Sequence, residues 1–184
     1  MVDTARTVTD LTTNLFQDSQ TAGISAQDMR DLIKSFQVQH GGIYISTAAS
    51  TVISVAGTYV KAVGTTTLFG DTANAFDMST DNRLRYTGTP TRTVLVACSA
   101  SLELDTAIVS KTLGLKLYKG GSAITGLAVT GYAPTVTAKT VNLTLFGFVE
   151  LATNEYVEAF VANVDSTDDI TVSQMTLIGL GLTK

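Results

Sequence analysis

Residues 140–150 read TVNLTLFGFVE, and residues 155–164 read EYVEAFVANV after the short break LATN. The acidic turn DSTDD follows at residues 165–169, and the apolar stretch ITVSQMTLIGLGL then runs to Leu182. Apolar and polar side chains alternate along these segments, and a period of two is typical of β-strands with one buried face. The last third of the chain therefore predicts a strand pair, an acidic loop and a final strand.

One strand in this stretch is apolar on both of its faces. The odd positions from Val141 to Val149 are aliphatic except for Gly147, whereas Phe146 and Phe148 lie on the opposite face. A sandwich strand with a solvated second face would carry polar side chains there. We therefore expect the two phenylalanines to meet another subunit or layer. The alternative is that a loop of the same chain covers them.

The same period of two extends upstream through most of the chain. Residues 93–105 read TVLVACSASLELD, with an apolar or small side chain at every second position, and Leu113, Leu115 and Leu117 alternate likewise. About eight to ten strands separated by turn signals predict a mainly-β fold, an antiparallel sandwich over residues 43–184. The further strand candidates are 43–46, 52–55, 58–63, 75–78, 83–87, 127–130, 140–150, 155–164 and 169–181.

The amino-terminal quarter has a different character. Residues 1–24 are polar, with Leu11, Leu15 and Phe16 as sparse apolar anchors. A segment of this composition cannot bury enough apolar surface to fold alone. We expect an extended arm that is either disordered or laid against a partner.

One amphipathic helix is predicted over residues 26–39. Ser25 is a favourable N-cap, and His-Gly-Gly at 40–42 is a typical stop signal. We place the domain boundary there, which separates an arm and docking helix, residues 1–42, from a sandwich domain, residues 43–184. The spacing i, i+3, i+4, i+7 gives the helix one apolar stripe, formed by Met29, Leu32, Ile33 and Phe36.

Composition excludes several classes of partner. The chain has 184 residues, a net charge of −4 and only 15% charged residues. Its 12 basic residues are scattered along the sequence without aromatic interleaving, which argues against a nucleic-acid surface. No apolar run is long enough for a membrane helix, and residues 1–10 lack the continuous apolar core of a signal peptide, so we expect synthesis in a cytoplasm.

The side chains that could carry chemistry do not form a recognisable constellation. His40 is the only histidine and is expected to be solvated or bonded to a carbonyl. Cys98 alternates with aliphatic residues and is expected in the core. Glu103 and Asp105 are expected on a solvated face, while the aspartates of 165–169 depart from calcium-loop spacing. We therefore predict no catalytic, cofactor or metal site, and no enzyme.

The closing strands resemble those of the tumour-necrosis-factor and complement-head superfamily. Leu151-Ala152-Thr153-Asn154-Glu155 is similar to the turn that opens the penultimate strand there, and Leu177-Ile178-Gly179-Leu180 to the ending of the last strand. The resemblance implies a jelly-roll sandwich and a homotrimer.

The helix region resembles a second group of proteins. Residues 22–32, AGISAQDMRDL, are similar to a short amino-terminal helix of tailed-bacteriophage virion proteins, which precedes a glycine-rich break and a β-rich display domain. Together the two resemblances imply a phage structural protein.

The leading hypothesis is a trimeric capsid decoration, or cement, protein that binds the major capsid protein on the exterior of the virion and stabilises the head against internal pressure. The alternative is a tail-fibre tip or receptor-binding protein that uses the long connections 64–82 and 119–139, although the chain has no tryptophan for a carbohydrate site. The side chains expected to dock on the capsid or pack in the trimer are Leu11, Leu15, Phe16, Met29, Ile33, Phe36, Phe146 and Phe148.

Overall fold

The computed structural model describes residues 25–69, 74–105, 110–134 and 140–182. These residues form one helix and twelve strands. The helix α1 spans Ala26–Phe36. The strands are β1 (His40–Ala48), β2 (Ser50–Thr51), β3 (Val60–Lys61), β4 (Gly64–Leu68), β5 (Phe76–Asp77), β6 (Arg83–Tyr86), β7 (Arg92–Leu104), β8 (Lys111–Lys119), β9 (Ser122–Ala133), β10 (Thr140–Leu151), β11 (Tyr156–Asn163) and β12 (Ile170–Gly181).

Two six-stranded sheets make up the sandwich. In sheet A the strands lie in the order β10-β7-β12-β1-β4, and β2 pairs with the start of β12. In sheet B the order is β5-β6-β11-β8-β9, with β3 paired to β11. The strand pairings are antiparallel. The antiparallel sandwich predicted from the alternation is confirmed.

The core lies between the inner faces of the two sheets. The alternating side chains of β7 are buried from Val94 to Leu104, and those of β8 from Leu113 to Leu117 are fully buried. Val141, Leu143, Leu145 and Val149 of β10 also face inward. Because side chains of a strand point alternately to opposite faces, the sequence pattern assigned these inner faces correctly.

The helix begins where it was predicted and ends earlier. The Asp28 backbone N–H donates to Ser25 Oγ at 3.2 Å, and the Ser25 N–H donates to the Asp28 carboxylate at 2.9 Å, so the two residues cap each other. The helix ends at Phe36 rather than at residue 39, because the backbone from Gln39 onward pairs with other strands: Gly181 N–H donates to Gln39 C=O. Gly42 therefore lies within β1 and does not form a break.

Several predicted connections and strand candidates differ in extent from the observed strands. The connection 64–82 contains β4, and the connection 119–139 contains the twelve-residue β9, of which only 127–130 was predicted as strand. β4 reads GTTTL and β9 contains two glycines, so neither shows clean alternation of apolar and polar residues. Both are held by pairing with a neighbour, β1 and β8. The segment 52–55 lies outside the strands.

The predicted arm, residues 1–24, lies outside the described residues, together with Leu11, Leu15 and Phe16. The boundary after residue 42 falls three residues inside β1, which begins at His40. The division of the chain into a docking segment and a sandwich domain stays a prediction.

Candidate functional site

The outer face of sheet A is apolar at one end. The register places Phe146 beside Ala97, Ala97 beside Ile178, and Ile178 beside Gly42. The next row runs from Phe148 through Leu95 and Leu180 to His40. We call these apolar side chains, with the residue that follows β4, the face cluster: Phe69, Leu95, Ala97, Phe146, Phe148, Ile178 and Leu180.

The side chains of the face cluster are open to solvent. Phe146 is 73% exposed and Phe148 63% exposed, although both belong to a strand whose other face is core. Ile178 and Phe69 are 43% and 40% exposed. No described segment of the chain therefore covers the two phenylalanines, so a covering loop has no support within the described ranges. A contiguous apolar patch of this kind on a β-sheet marks an interaction surface.

A shallow cavity lies within the face cluster. It has a volume of about 290 Å³ and is lined by apolar atoms of β1, β12 and the end of β4. Gly42 forms the floor of the cavity. A larger residue would not fit there, because its Cβ would come within 2.6 Å of the Phe69 ring and 2.8 Å of Ile178. The lining residues are His40, Gly41, Gly42, Phe69, Leu95, Ile178, Gly179 and Leu180.

The other half of the same face is polar. Along each strand the cluster gives way to serine, threonine and amide side chains: Thr144 hydrogen-bonds Ser99 at 3.1 Å, and Ser101 donates to Asn142 at 2.6 Å. At the far end Thr171 donates to the Asp105 carboxylate at 2.6 Å. The outer face of sheet A is thus divided along the strand direction into an apolar half and a hydrogen-bonded polar half.

The helix presents a second apolar surface. Met29, Ile33 and Phe36 are 44%, 60% and 62% exposed, so three of the four residues of the predicted stripe are open to solvent, whereas Leu32 is half-buried. Asp31, on another side of the helix, is only 2% exposed and accepts a hydrogen bond from Gln27 at 2.8 Å. The stripe is therefore available for a partner.

The outer face of sheet B carries a group of cationic and aromatic side chains that the sequence analysis missed. The Arg83 guanidinium lies 4.4 Å from the centroid of the Tyr156 ring. The Lys116 ammonium lies 5.5 Å from the centroid of Tyr59 and 5.9 Å from that of Tyr118. The basic residues show no aromatic interleaving along the sequence, but the fold brings Arg83 and Lys116 beside aromatic rings. Alternation along the strands indicates that such side chains point to the outer face. It does not indicate that they meet, because the partners lie far apart along the chain.

A buried carboxylate organises the charges of this face. Glu158 is 3% exposed in its side chain and pairs with Lys61 at 2.9 Å and with Arg83 at 2.8 Å. The hydrogen bond that Arg83 Nε donates to the Glu158 carboxylate raises the pKa of Arg83 above its ordinary value, against a smaller effect of burial. Arg85 pairs with Asp77 at 2.6 Å. Burial, followed by the neighbouring Tyr118, raises the pKa of Tyr59.

The aspartates of the turn 165–169 act as backbone caps. Asp165 accepts a hydrogen bond from the Thr112 N–H at 2.6 Å, and Asp169 accepts one from the Ile53 N–H at 2.9 Å. Within the described ranges, no group of three or more histidine, cysteine or acidic side chains could hold a metal ion. The carboxylates of Asp165 and Asp169 therefore accept hydrogen bonds from backbone N–H groups of neighbouring segments.

The other candidate reactive residues occupy structural positions. Cys98 is 1% exposed in the core, and burial raises the pKa of its thiol to about 12, which leaves it protonated and unreactive at neutral pH. His40 Nδ1 lies 2.9 Å from the Val38 carbonyl oxygen, as expected for a carbonyl-bonded histidine. In the part of the chain that is described, the helix is too short and too polar to cross a membrane.

Known structures share this arrangement of strands. The structure of Eiger TNF from S. frugiperda superposes with a TM-score of 0.51 at 9% identity, over 79% of this chain and 92% of that one. The fold is a tumour-necrosis-factor-like jelly roll. Murine APRIL at pH 5.0 superposes with a TM-score of 0.49 at 12% identity, over 78% of this chain and 99% of that one. No protein-family model matches the sequence. No curated protein matches it either.

The predicted jelly roll is thereby confirmed, whereas the resemblance to phage virion proteins stays a prediction. At these identities the likeness concerns the fold alone.

Proposed function

We propose that the protein is a structural, non-catalytic subunit that assembles through the outer face of sheet A into a homotrimer and decorates the exterior of a bacteriophage capsid. The observation that carries the assembly is the exposed face cluster, above all Phe146 and Phe148 at 73% and 63% exposure. Leaving such rings in water is unfavourable by roughly 25 cal/mol per Å² of apolar surface, so their burial between copies stabilises the complex.

The shape of the face supports contact between different parts of two copies. Phe146 and Phe148 stand on β10, which is the edge strand of sheet A. The cavity lies two to three strands away, at β12 and β1. A protrusion on one strand and a recess on another favour a heterologous contact, in which the edge of one copy enters the recess of the next; such contacts close into a ring when the rotation allows it. Support for three copies comes from the resemblance of the closing strands to a trimerising superfamily.

The virion role has separate support. It comes from the resemblance of residues 22–32 to the docking helices of phage virion proteins and from the exposed stripe of α1. In this proposal the stripe and the arm bind the major capsid protein, while the jelly roll points outward.

The mass of the full chain in solution tests the assembly. We expect a species three times the 19.3 kDa chain by native mass spectrometry and by light scattering. A monomer at tens of micromolar would contradict the assembly through the face cluster. Copy number on purified virions then distinguishes the two virion roles, because a decoration protein is present in hundreds of copies and a tail-fibre tip in a handful.

A helix variant tests docking independently of the trimer. Replacing Ile33 and Phe36 by aspartate is expected to abolish capsid binding, since the apolar stripe would carry two charges, while the trimer mass is retained. Arg30→Gln on the same helix is the matched control and should bind normally. Capsid binding is measured by co-sedimentation with undecorated heads, and a variant that still sediments with them would refute docking through the stripe.

A further inference from the structure

The outer face of sheet B has an excess of positive charge in an acidic chain. Four basic side chains lie there, against the two acidic side chains Asp77 and Glu158, whereas the whole chain has a net charge of −4. Three of the basic groups are paired with these carboxylates. The fourth, Lys116, has no carboxylate partner among the described residues, and its ammonium lies 5.5 Å and 5.9 Å from the ring centroids of Tyr59 and Tyr118. The four are Lys61, Arg83, Arg85 and Lys116.

The aromatic rings beside Lys116 form an open shelf. Tyr118 stacks on Phe160 with 3.7 Å between ring centroids and 17° between their planes. On the side away from Phe160, the register places Ala123 opposite Tyr118 and Ala128 opposite Lys116, and both alanines are exposed. Tyr118 is half-buried, and only small side chains of the edge strand β9 flank it on this side.

Tyr59 closes the shelf at its other end. Its hydroxyl lies over Gly114, where a Cβ would come within 2.4 Å, so the close approach of the ring requires glycine at that position. Glu158, paired with Arg83 and Lys61 and opposite Tyr118 in the register, holds the middle of the face rigid. The positions of the two tyrosine rings are thus set by contacts within the fold.

We propose that this shelf binds an acidic polysaccharide, with Lys116 pairing with a uronate carboxylate and Tyr118 and Tyr59 packing against the sugar rings. The C–H face of a pyranose carries positive partial charges and fits the negative face of an aromatic ring. An unpaired ammonium at the margin of the rings selects for a carboxylate on the same sugar. Two net charges are too few for the series of phosphate contacts that a nucleic acid requires.

This binding site goes beyond the proposed function and does not depend on it. The shelf lies on the sheet opposite to the face cluster, so an assembly through sheet A leaves it open. It would give the outer face of sheet B an affinity for acidic surface glycans.

The test is titration calorimetry of the full-length protein with decamers of galacturonate, guluronate and glucuronate at low salt. We expect binding of at least one of the three, and weaker binding of its fully methyl-esterified form, which keeps the rings and loses the charges. Lys116→Glu should reduce the affinity by about tenfold or more, and Lys116→Gln by less, because reversal adds repulsion to the loss of the ion pair. Tyr118→Ala should also weaken binding.

Lys119→Gln is the matched control. Lys119 lies on the same strand but pairs with Glu155 at 2.7 Å, away from the shelf, so its replacement should leave the affinity unchanged. Circular dichroism of every variant verifies the fold. The proposal is overturned if none of the three acids binds at millimolar concentration, if the esterified ligand binds equally well, if Lys116→Glu binds like the wild type, or if single-stranded DNA binds more tightly than the uronates.

Discussion

Replacement of both Phe146 and Phe148 by aspartate is expected to convert the trimer into a folded monomer. Both rings are exposed on the edge strand of sheet A, at 73% and 63%, so the substitutions remove nothing from the core. In the assembly they would place two carboxylates per copy against the apolar cavity of a neighbour. Truncation of a central interface aromatic costs about 2 kcal/mol or more, so we expect the dissociation constant to rise by at least about a thousandfold for the pair.

The matched control for this variant is Thr144→Asp. Thr144 lies on the same strand and the same face, but in the polar half, where it hydrogen-bonds Ser99. It adds one carboxylate to the same face without touching the face cluster and should retain the trimer at micromolar concentration. Sedimentation velocity measures both masses. If the double phenylalanine variant stays trimeric, the copies associate through another surface.

Replacement of Leu177 by alanine is expected to destabilise each subunit. Leu177 is fully buried on the inner face of β12, in the middle of sheet A between β7 and β1. Loss of a buried leucine side chain costs about 2–5 kcal/mol, because apolar contacts are lost and a cavity remains. We expect the melting temperature to fall by about 2–4 °C for each kcal/mol in a chain of this size.

The neighbouring residue provides the control. Ile178 is adjacent in sequence but points to the outer face and is 43% exposed. Stability is best measured by urea denaturation in the monomeric Phe146→Asp, Phe148→Asp background, because the unfolding of a trimer depends on protein concentration. There, Ile178→Ala should change the free energy of unfolding by less than about 1 kcal/mol, whereas in the wild-type background it should weaken association. Equal losses for the two alanine variants in the monomer would show that the assignment of the inner and outer faces is wrong.

The strands with clean alternation were predictable because their local pattern and their tertiary position agree. Residues 93–105 and 140–150 bury every second side chain, as their sequences indicate. The short strand β2 and the threonine-rich β4 were not predictable in this way. Their side chains carry no period, and they become strands because a long neighbour offers unpaired backbone groups.

The helix, too, was predictable only in part from its local sequence. Its N-cap and its apolar stripe follow from local sequence, since capping and 3.6-residue periodicity involve only neighbouring residues. Its end does not, because the backbone that could have continued the helix is taken by pairing with Gly181 and Asn74, which lie far away in the chain. The exposure of Ile33 and Phe36 was likewise undecided until the position of the sandwich was known.

The sequence by itself determined the mainly-β class, the inner faces of the long strands, and the presence of two unexplained phenylalanines on the outer face of β10. Alternation and capping are properties of adjacent residues, so no tertiary knowledge is needed to recognise them. Only the tertiary structure decided which outer residues meet: it placed Phe146 in one row with Ile178, and Lys116 beside Tyr59. Those neighbours depend on the order of strands in the sheets, which brings together segments that are tens of residues apart and which no local pattern records.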